Sequence, residues 1–204
     1  GYRLDAIFEN DDNKVYPQKI FLASEGSLGI ITRSRIKILD IPEKKSLVIL
    51  KFENIFDAAL EVPFILQFEP VAMELLDRGT IMEGWKADDS ESTNSCIMIV
   101  EFYGNDNSLY KKVHKFENNL RKKAKILDSG YDKKSVGTAW NKRKNSLNSA
   151  MKKTIGSRKP TGIIEDTVVH PVILHDYLIF LLKLLATYNL DYVIYGHAGN
   201  GNLH

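Results

Sequence analysis

Two apolar runs constrain the fold most. SLVILKF (46–52) and SCIMIVEFYG (95–104) each read as a strand, and each is flanked by segments with helical signatures. NIFDAALEVPFIL opens on a candidate Asn cap and reads as helix up to Pro63. EPVAMELLDRG reads as a short helix closed by Gly79. NSLYKKVHKFENNLRKKAKIL reads as a long helix, with Leu109, Val113, Phe116 and Leu120 at i, i+4, i+7 and i+11. Further on, GTAWNKRKNSLNSAMKK is a helix, SRKPTG a loop and GIIEDTVVH a strand. PVILHDYLIFLLKLLATYN is a helix with proline at its start, and DYVIYGH is a last strand. Leu174, Leu178, Leu181, Leu182 and Leu185 form the expected buried stripe of that helix.

From residue 45 the order is therefore β-α-(α)-β-α-α-β-α-β. Two β-α-β halves predict an α+β fold, an antiparallel sheet covered by helices and ferredoxin-like in arrangement. A doubly wound parallel sheet is the alternative. Ahead of it, YPQKIFLASEGSLGIITRSRIKILDIPEKK reads as strand, glycine loop and strand, ended by Pro42. The boundary between a short β remnant (1–42) and the larger domain (43–204) is set there. The start GYRL and the end GNLH both fall mid-pattern, so the sequence reads as a piece of a longer protein, incomplete at its C-terminus.

A 44% hydrophobic, 26% charged composition argues against disorder throughout. No run approaches the roughly 18–20 apolar residues of a membrane span. The lone Cys96 allows no internal disulfide and fits a reducing, cytoplasmic setting. The net charge of +2 conceals an asymmetry: residues 111–160 hold 16 of the 28 basic residues and 3 of the 26 acidic ones. Such a block marks a solvated helix face, an anionic ligand, or contact with lipid or nucleic acid. Lysine dominates it and aromatics do not interleave, so base stacking is not indicated and no nucleic-acid partner is expected. Peripheral membrane contact stays open, as does a non-catalytic basic binding module.

Four stretches carry potential chemistry. In ASEGSLGIIT, Gly26 and Gly29 make either a plain turn or a place where backbone approaches a ligand. In GHAGNGNLH, His197 and His204 lie seven apart across a glycine turn. Two imidazoles alone are an incomplete metal site, since catalytic zinc takes three protein ligands. In TAWNKRK, Trp140 and Arg143 share a helix face, which suits a carboxylate or is one more charge in a lysine-rich helix. In IIEDTVVHP, Glu165 and Asp166 are read on opposite faces of a strand. His114 and His175 are read as surface residues.

In order, GYRLDAIF, ASEGSLGIIT, VAMELLDR, W..R, IIEDTVVHP and YGHAGNGNLH resemble the FAD-linked D-lactate dehydrogenase and glycolate oxidase family of vanillyl-alcohol-oxidase-type flavoproteins. The resemblance runs from residue 1 to 204. It implies that residues 1–42 are the tail of an FAD-binding domain and 43–204 part of the substrate cap. It also implies oxidation of a small 2-hydroxy acid, D-lactate first and glycolate or D-2-hydroxyglutarate as alternatives, with hydride passing to FAD. Glu25, Gly26, Gly29, Ile30 and Ile31 match the flavin-contacting box. Arg143 matches the carboxylate-binding arginine, and Glu165 a substrate-facing position. His197 and His204 match ligands of zinc or another divalent metal, His197 also being catalytic. A quinone, cytochrome, flavoprotein or iron–sulfur partner would take the electrons. The separated piece is expected to be inactive. Asn200 stands where such proteins usually carry Asp, which removes a negative charge beside the expected metal.

Overall fold

The computed structural model describes residues 2, 4–8, 14–22, 24–81, 95–120, 124–152 and 156–204. The chain divides into two compact units, Gly1–Ile41 and Pro42–His204.

The first unit contains two 3₁₀ turns, Leu4–Phe8 and Pro17–Phe21, tied by a bond from the Tyr16 amide to the Ile7 carbonyl (2.9 Å). The strand expected around YPQKIF is instead the second of these turns. Pro17, with its fixed φ and no amide hydrogen, suits a first helical position. IITRSRIKIL likewise forms no strand. Alternation alone does not make one, because a strand needs a ladder partner, and no described residue pairs with 30–41. Ile30, Ile31, Ile36, Ile38 and Leu39 are all exposed.

The second unit begins with β1 (Lys44–Phe52), α1 (Ile55–Leu66), β2 (Ala72–Leu76), β3 (Cys96–Gly104), α2 (Asp106–Asn119) and β4 (Lys125–Gly130). These strands pair in the order β4-β1-β3-β2, every pair antiparallel. That is the split β-α-β pattern of the ferredoxin-like arrangement. Then come α3 (Lys133–Met151), β5 (Thr167–Val168), α4 (Leu174–Thr187), β6 (Tyr195–His197) and β7 (Asn202–Leu203). The last three strands extend the sheet past β2 in the order β6-β7-β5, giving seven antiparallel strands. No parallel pair occurs among the described residues, so the doubly wound alternative falls.

β1 and β3 lie inside the sheet and are covered on both faces. Val48, Leu50 and Phe52 of β1, with Met98, Val100 and Phe102 of β3, face a core shared with α1, α2 and α4. Leu47, Ile49, Ile97 and Ile99 face a smaller core under α3. The Asn54 side chain accepts from the Asp57 amide (2.8 Å) and starts α1, as its residue type predicts. The helix then runs through Pro63 rather than stopping there. Pro63 removes one backbone bond, but Val62 and Ile65 beside it are fully buried and hold the helix on the sheet.

Two other expectations are corrected. VAMELLDR is a strand, not a helix: Met73 and Leu75 face the larger core while Leu76 faces the smaller one. Its Ala, Met, Glu and Leu favour helix, but the slot between β3 and β6 imposes period two. The long helix ending at KIL stops at Asn119, and Lys125–Gly130 pair with β1. Residues 121–123 lie outside the described set.

In α4, Leu174, Leu178 and Leu181 are buried, and Leu182 packs partly buried against the same core. Leu185 is half-buried at the rim. Leu178→Ala is expected to cost about 2–5 kcal/mol, as deletion of a fully buried leucine does. A denaturant midpoint unchanged from the parent would place α4 on another face.

Candidate active site

The face of the sheet under α3 carries a polar cluster. Its centre is Glu74, only 5% exposed, delivered by the alternation of β2 that sends Met73 and Leu75 to the opposite core. α3 turns Val136, Ala139, Trp140 and Arg143 towards the sheet at i, i+3, i+4 and i+7. The Trp140 indole nitrogen donates to Glu101 Oε1 (3.1 Å), and Arg143 Nε donates to Glu74 Oε2 (2.9 Å). Trp140 and Arg143 therefore share a face, as their spacing predicts. Lys133, Lys134 and Lys144 of the same helix are exposed, so much of its basic charge is a solvated surface.

β6 and β7 supply the other side. Tyr195 and His197 alternate onto the α3 face, and the chain then reverses through a 3₁₀ turn at Ala198–Asn200. Gly201 has φ +67°, and a Cβ there would run into the Val169 carbonyl. Gly196 would drive a Cβ to 2.5 Å from the Asn202 carbonyl oxygen. Both positions admit glycine alone without movement of the neighbouring backbone. Reciprocal backbone bonds between Tyr195 and His204 (3.1 and 2.8 Å) close the hairpin.

This turn brings the two histidines together, with ring centroids 5.8 Å apart and planes nearly perpendicular. Each ring engages a carboxylate through Nδ1: His197 with Glu74 Oε1 at 2.5 Å, and His204 with Glu165 Oε2 at 2.7 Å. Tyr195 stacks on His204 (5.1 Å, 22°), and the Arg143 guanidinium lies 5.3 Å from the Tyr195 ring centre. Burial pushes the Tyr195 phenol above its ordinary range, Glu165 and Asp166 adding to the effect and Arg143 opposing it.

Glu165 and Asp166 do not lie on opposite faces of a strand. Asp166 has φ +54° and β5 starts only at Thr167, so both carboxylates approach His204, Asp166 at 3.6 Å. In the first unit, Glu25 (φ +49°) and Gly26 (φ +81°) form a left-handed turn closed by the Ser27 amide on the Ser24 carbonyl (2.9 Å). Gly29 follows at φ +152°, and residues 25–31 are exposed. Cys96 is buried in the larger core, which raises its thiol pKa and leaves it no part in the cluster.

Sequence reasoning missed Glu74, Glu101 and Tyr195. The signal for the two acids was an acidic residue inside an otherwise apolar period-two frame, AMELL and MIVEF, which a buried strand tolerates only with a partner.

Residues 41–204 match the domain described as FAD linked oxidases, C-terminal domain. The chain belongs to the FAD-linked oxidase family. It is 28% identical over 230 residues to the D-2-hydroxyglutarate dehydrogenase of Haemophilus influenzae, covering 100% of this chain and 22% of that protein. It is 27% identical over 190 residues to the glycolate oxidase subunit GlcD of Bacillus subtilis, covering 91% and 40%. Proteins named D-lactate dehydrogenase also match. The chain thus spans well under half the length of these relatives. An alkyldihydroxyacetonephosphate synthase structure shares the fold, with a TM-score of 0.60 at 18% identity over 94% of this chain and 41% of that one. Among the described residues, no helix is long and apolar enough to cross a membrane. Nor does any group of three or more His, Cys, Asp or Glu among them form a metal cluster.

Proposed function

We propose that this chain is the substrate-handling part of an FAD-dependent 2-hydroxy-acid dehydrogenase. Residues 1–42 would be the end of its FAD-binding domain and 43–204 its cap. The observation that carries the reading is Glu74, one buried carboxylate joined to both Arg143 and His197 on the same sheet face. A guanidinium that binds a carboxylate and an imidazole that accepts a proton are what such a substrate requires at its two ends. Arg143 would hold the carboxylate. His197 would face the hydroxyl with Nε2 and take up its proton. Glu165 would orient His204 through Nδ1.

FAD, when bound, would supply the hydride acceptor for the α-carbon. The left-handed turn at Glu25 and Gly26 fits a flavin contact made through backbone, since a Cβ at Gly26 would meet nothing within 4 Å and the turn is exposed. Gly29, Ile30 and Ile31 would continue that contact. Alternatively, His197 and His204 fit as two ligands of a zinc ion, His197 Nε2 then holding the metal in place of the hydroxyl proton. A carboxylate on Nδ1 is the usual support for a metal-bound imidazole. Such an ion would lower the pKa of the substrate hydroxyl. A base and a metal ligand make the same demand of His197, an unprotonated Nε2.

D-lactate is the proposed substrate. Among the described residues of the cluster, Arg143 is the one guanidinium, which suits a single carboxylate, as in D-lactate or glycolate, whereas D-2-hydroxyglutarate carries a second. The test is turnover of the flavin-loaded protein with D-lactate, glycolate and D-2-hydroxyglutarate and a dye acceptor. D-lactate is expected to give the highest kcat/KM. Arg143→Lys is expected to raise KM at least tenfold, because an ammonium cannot reproduce a planar fork, while Lys144→Ala leaves KM unchanged. Equal effects of the two substitutions would make the basic helix a diffuse field with no special role for Arg143.

A further inference from the structure

We propose that Glu74 is the positioning residue of the site, holding His197 as the Nδ1–H tautomer with Nε2 unprotonated on the opposite edge of a half-exposed ring. The inference deepens the proposed function and rests on it for its significance, but its geometry and its test do not depend on turnover.

A carboxylate offers only acceptors. Glu74 divides its two oxygens, Oε2 to Arg143 Nε and Oε1 to His197 Nδ1, at 2.9 and 2.5 Å. The carboxylate is nearly inaccessible, with a side-chain exposure of 6% against 12% for Arg143 and 50% for His197. Water therefore has little room to replace either partner. With an acceptor on Nδ1, the imidazole proton sits on Nδ1 and the lone pair on Nε2. Without that acceptor nothing in this contact selects the tautomer.

Arg143 gives the arrangement a direction. Its Nε can only donate. If Glu74 becomes glutamine, the amide has one oxygen and one NH₂ group for two neighbours. The arginine takes the oxygen, so the NH₂ group faces His197 Nδ1 and turns it into an acceptor. The proton then moves to Nε2, and the nitrogen required by the proposed chemistry is blocked. The same logic makes the defect depend on Arg143. In Glu74→Gln/Arg143→Met nothing fixes the amide, which can turn its oxygen as well as its NH₂ group to Nδ1, so Nδ1–H becomes accessible again.

The experiment is long-range ¹H–¹⁵N NMR of the chain labelled with ¹⁵N at histidine and tryptophan, with chelator present, under alkaline conditions where imidazole is neutral. His197 is assigned by its loss in His197→Gln. The Trp140 indole N–H, which donates to Glu101, reports that α3 remains docked in each variant. The expected result is Nδ1–H in the unsubstituted chain, predominantly Nε2–H in Glu74→Gln, and a larger Nδ1–H fraction in the double variant than in Glu74→Gln. An Nε2–H tautomer in the unsubstituted chain would overturn the proposal, and this measurement decides even if Glu74→Gln fails to fold. A folded Glu74→Gln that keeps Nδ1–H, or a double variant with no more Nδ1–H than Glu74→Gln, would also overturn it. Failure of the dehydrogenase reading with these tautomers intact would leave Glu74 as the orienting group of a different reaction.

Discussion

His197→Ala in the flavin-loaded protein is expected to lower kcat by about 10²–10⁴-fold, the range for loss of a positioned proton acceptor. The ring is half exposed and lies on the three-stranded extension of the sheet, so its removal opens no core. Flavin content and thermal midpoint should therefore match the parent protein, which separates a chemical defect from a folding one. Metal analysis of the same pair extends the test. Zinc present in the parent and lost in the variant would make His197 a metal ligand rather than the proton acceptor. Loss of activity with zinc retained would assign His197 to proton transfer alone. Activity that survives both chelation and the substitution would remove His197 from the mechanism.

The second large effect is expected at the hairpin that places this histidine. Gly201→Ala forces a side chain into a left-handed conformation, which costs roughly 1–2 kcal/mol. It also pushes a methyl group against the Val169 carbonyl, at the point where the Val169 amide donates to the Gly201 carbonyl (3.0 Å). Overpacking of that kind adds about 1–3 kcal/mol. The expected loss is about 2–5 kcal/mol in a denaturant melt, with the contact between His204 and Glu165 disturbed. Gly137→Ala in α3 is the control. Its Cβ meets nothing within 4 Å, so a gain of about 0.5–1 kcal/mol from helix propensity is expected. Equal behaviour of the two glycines would mean that β5 and β7 contribute little to stability.

Much of this fold was legible because its strongest strands are apolar on both faces. SLVILKF and SCIMIVEFYG have the length and the β-branched content of buried strands, and the helices between them carry caps and periodic stripes. VAMELLDR was not legible for the opposite reason. Its residues favour a helix, and only a vacant position between two strands overrules them. The segment at 30–41 failed because alternation says nothing about whether a partner strand exists. In the site, the spacing of Trp140 and Arg143 and the glycine turn between His197 and His204 translate directly into shared faces and a hairpin. What joins them is Glu74, which lies 69 residues from Arg143 and 123 from His197. No local pattern encodes a contact at that separation. The clue that remained was the cost of placing a carboxylate inside an apolar strand.

Anaerobic mixing of the flavin-loaded protein with D-lactate tests the central claim most directly, because it isolates the reductive half-reaction from any electron acceptor. The oxidised flavin absorption is expected to bleach to completion, and the bleaching to slow by at least about two orders of magnitude in His197→Ala. Flavin that stays oxidised with D-lactate, glycolate and D-2-hydroxyglutarate alike would contradict it.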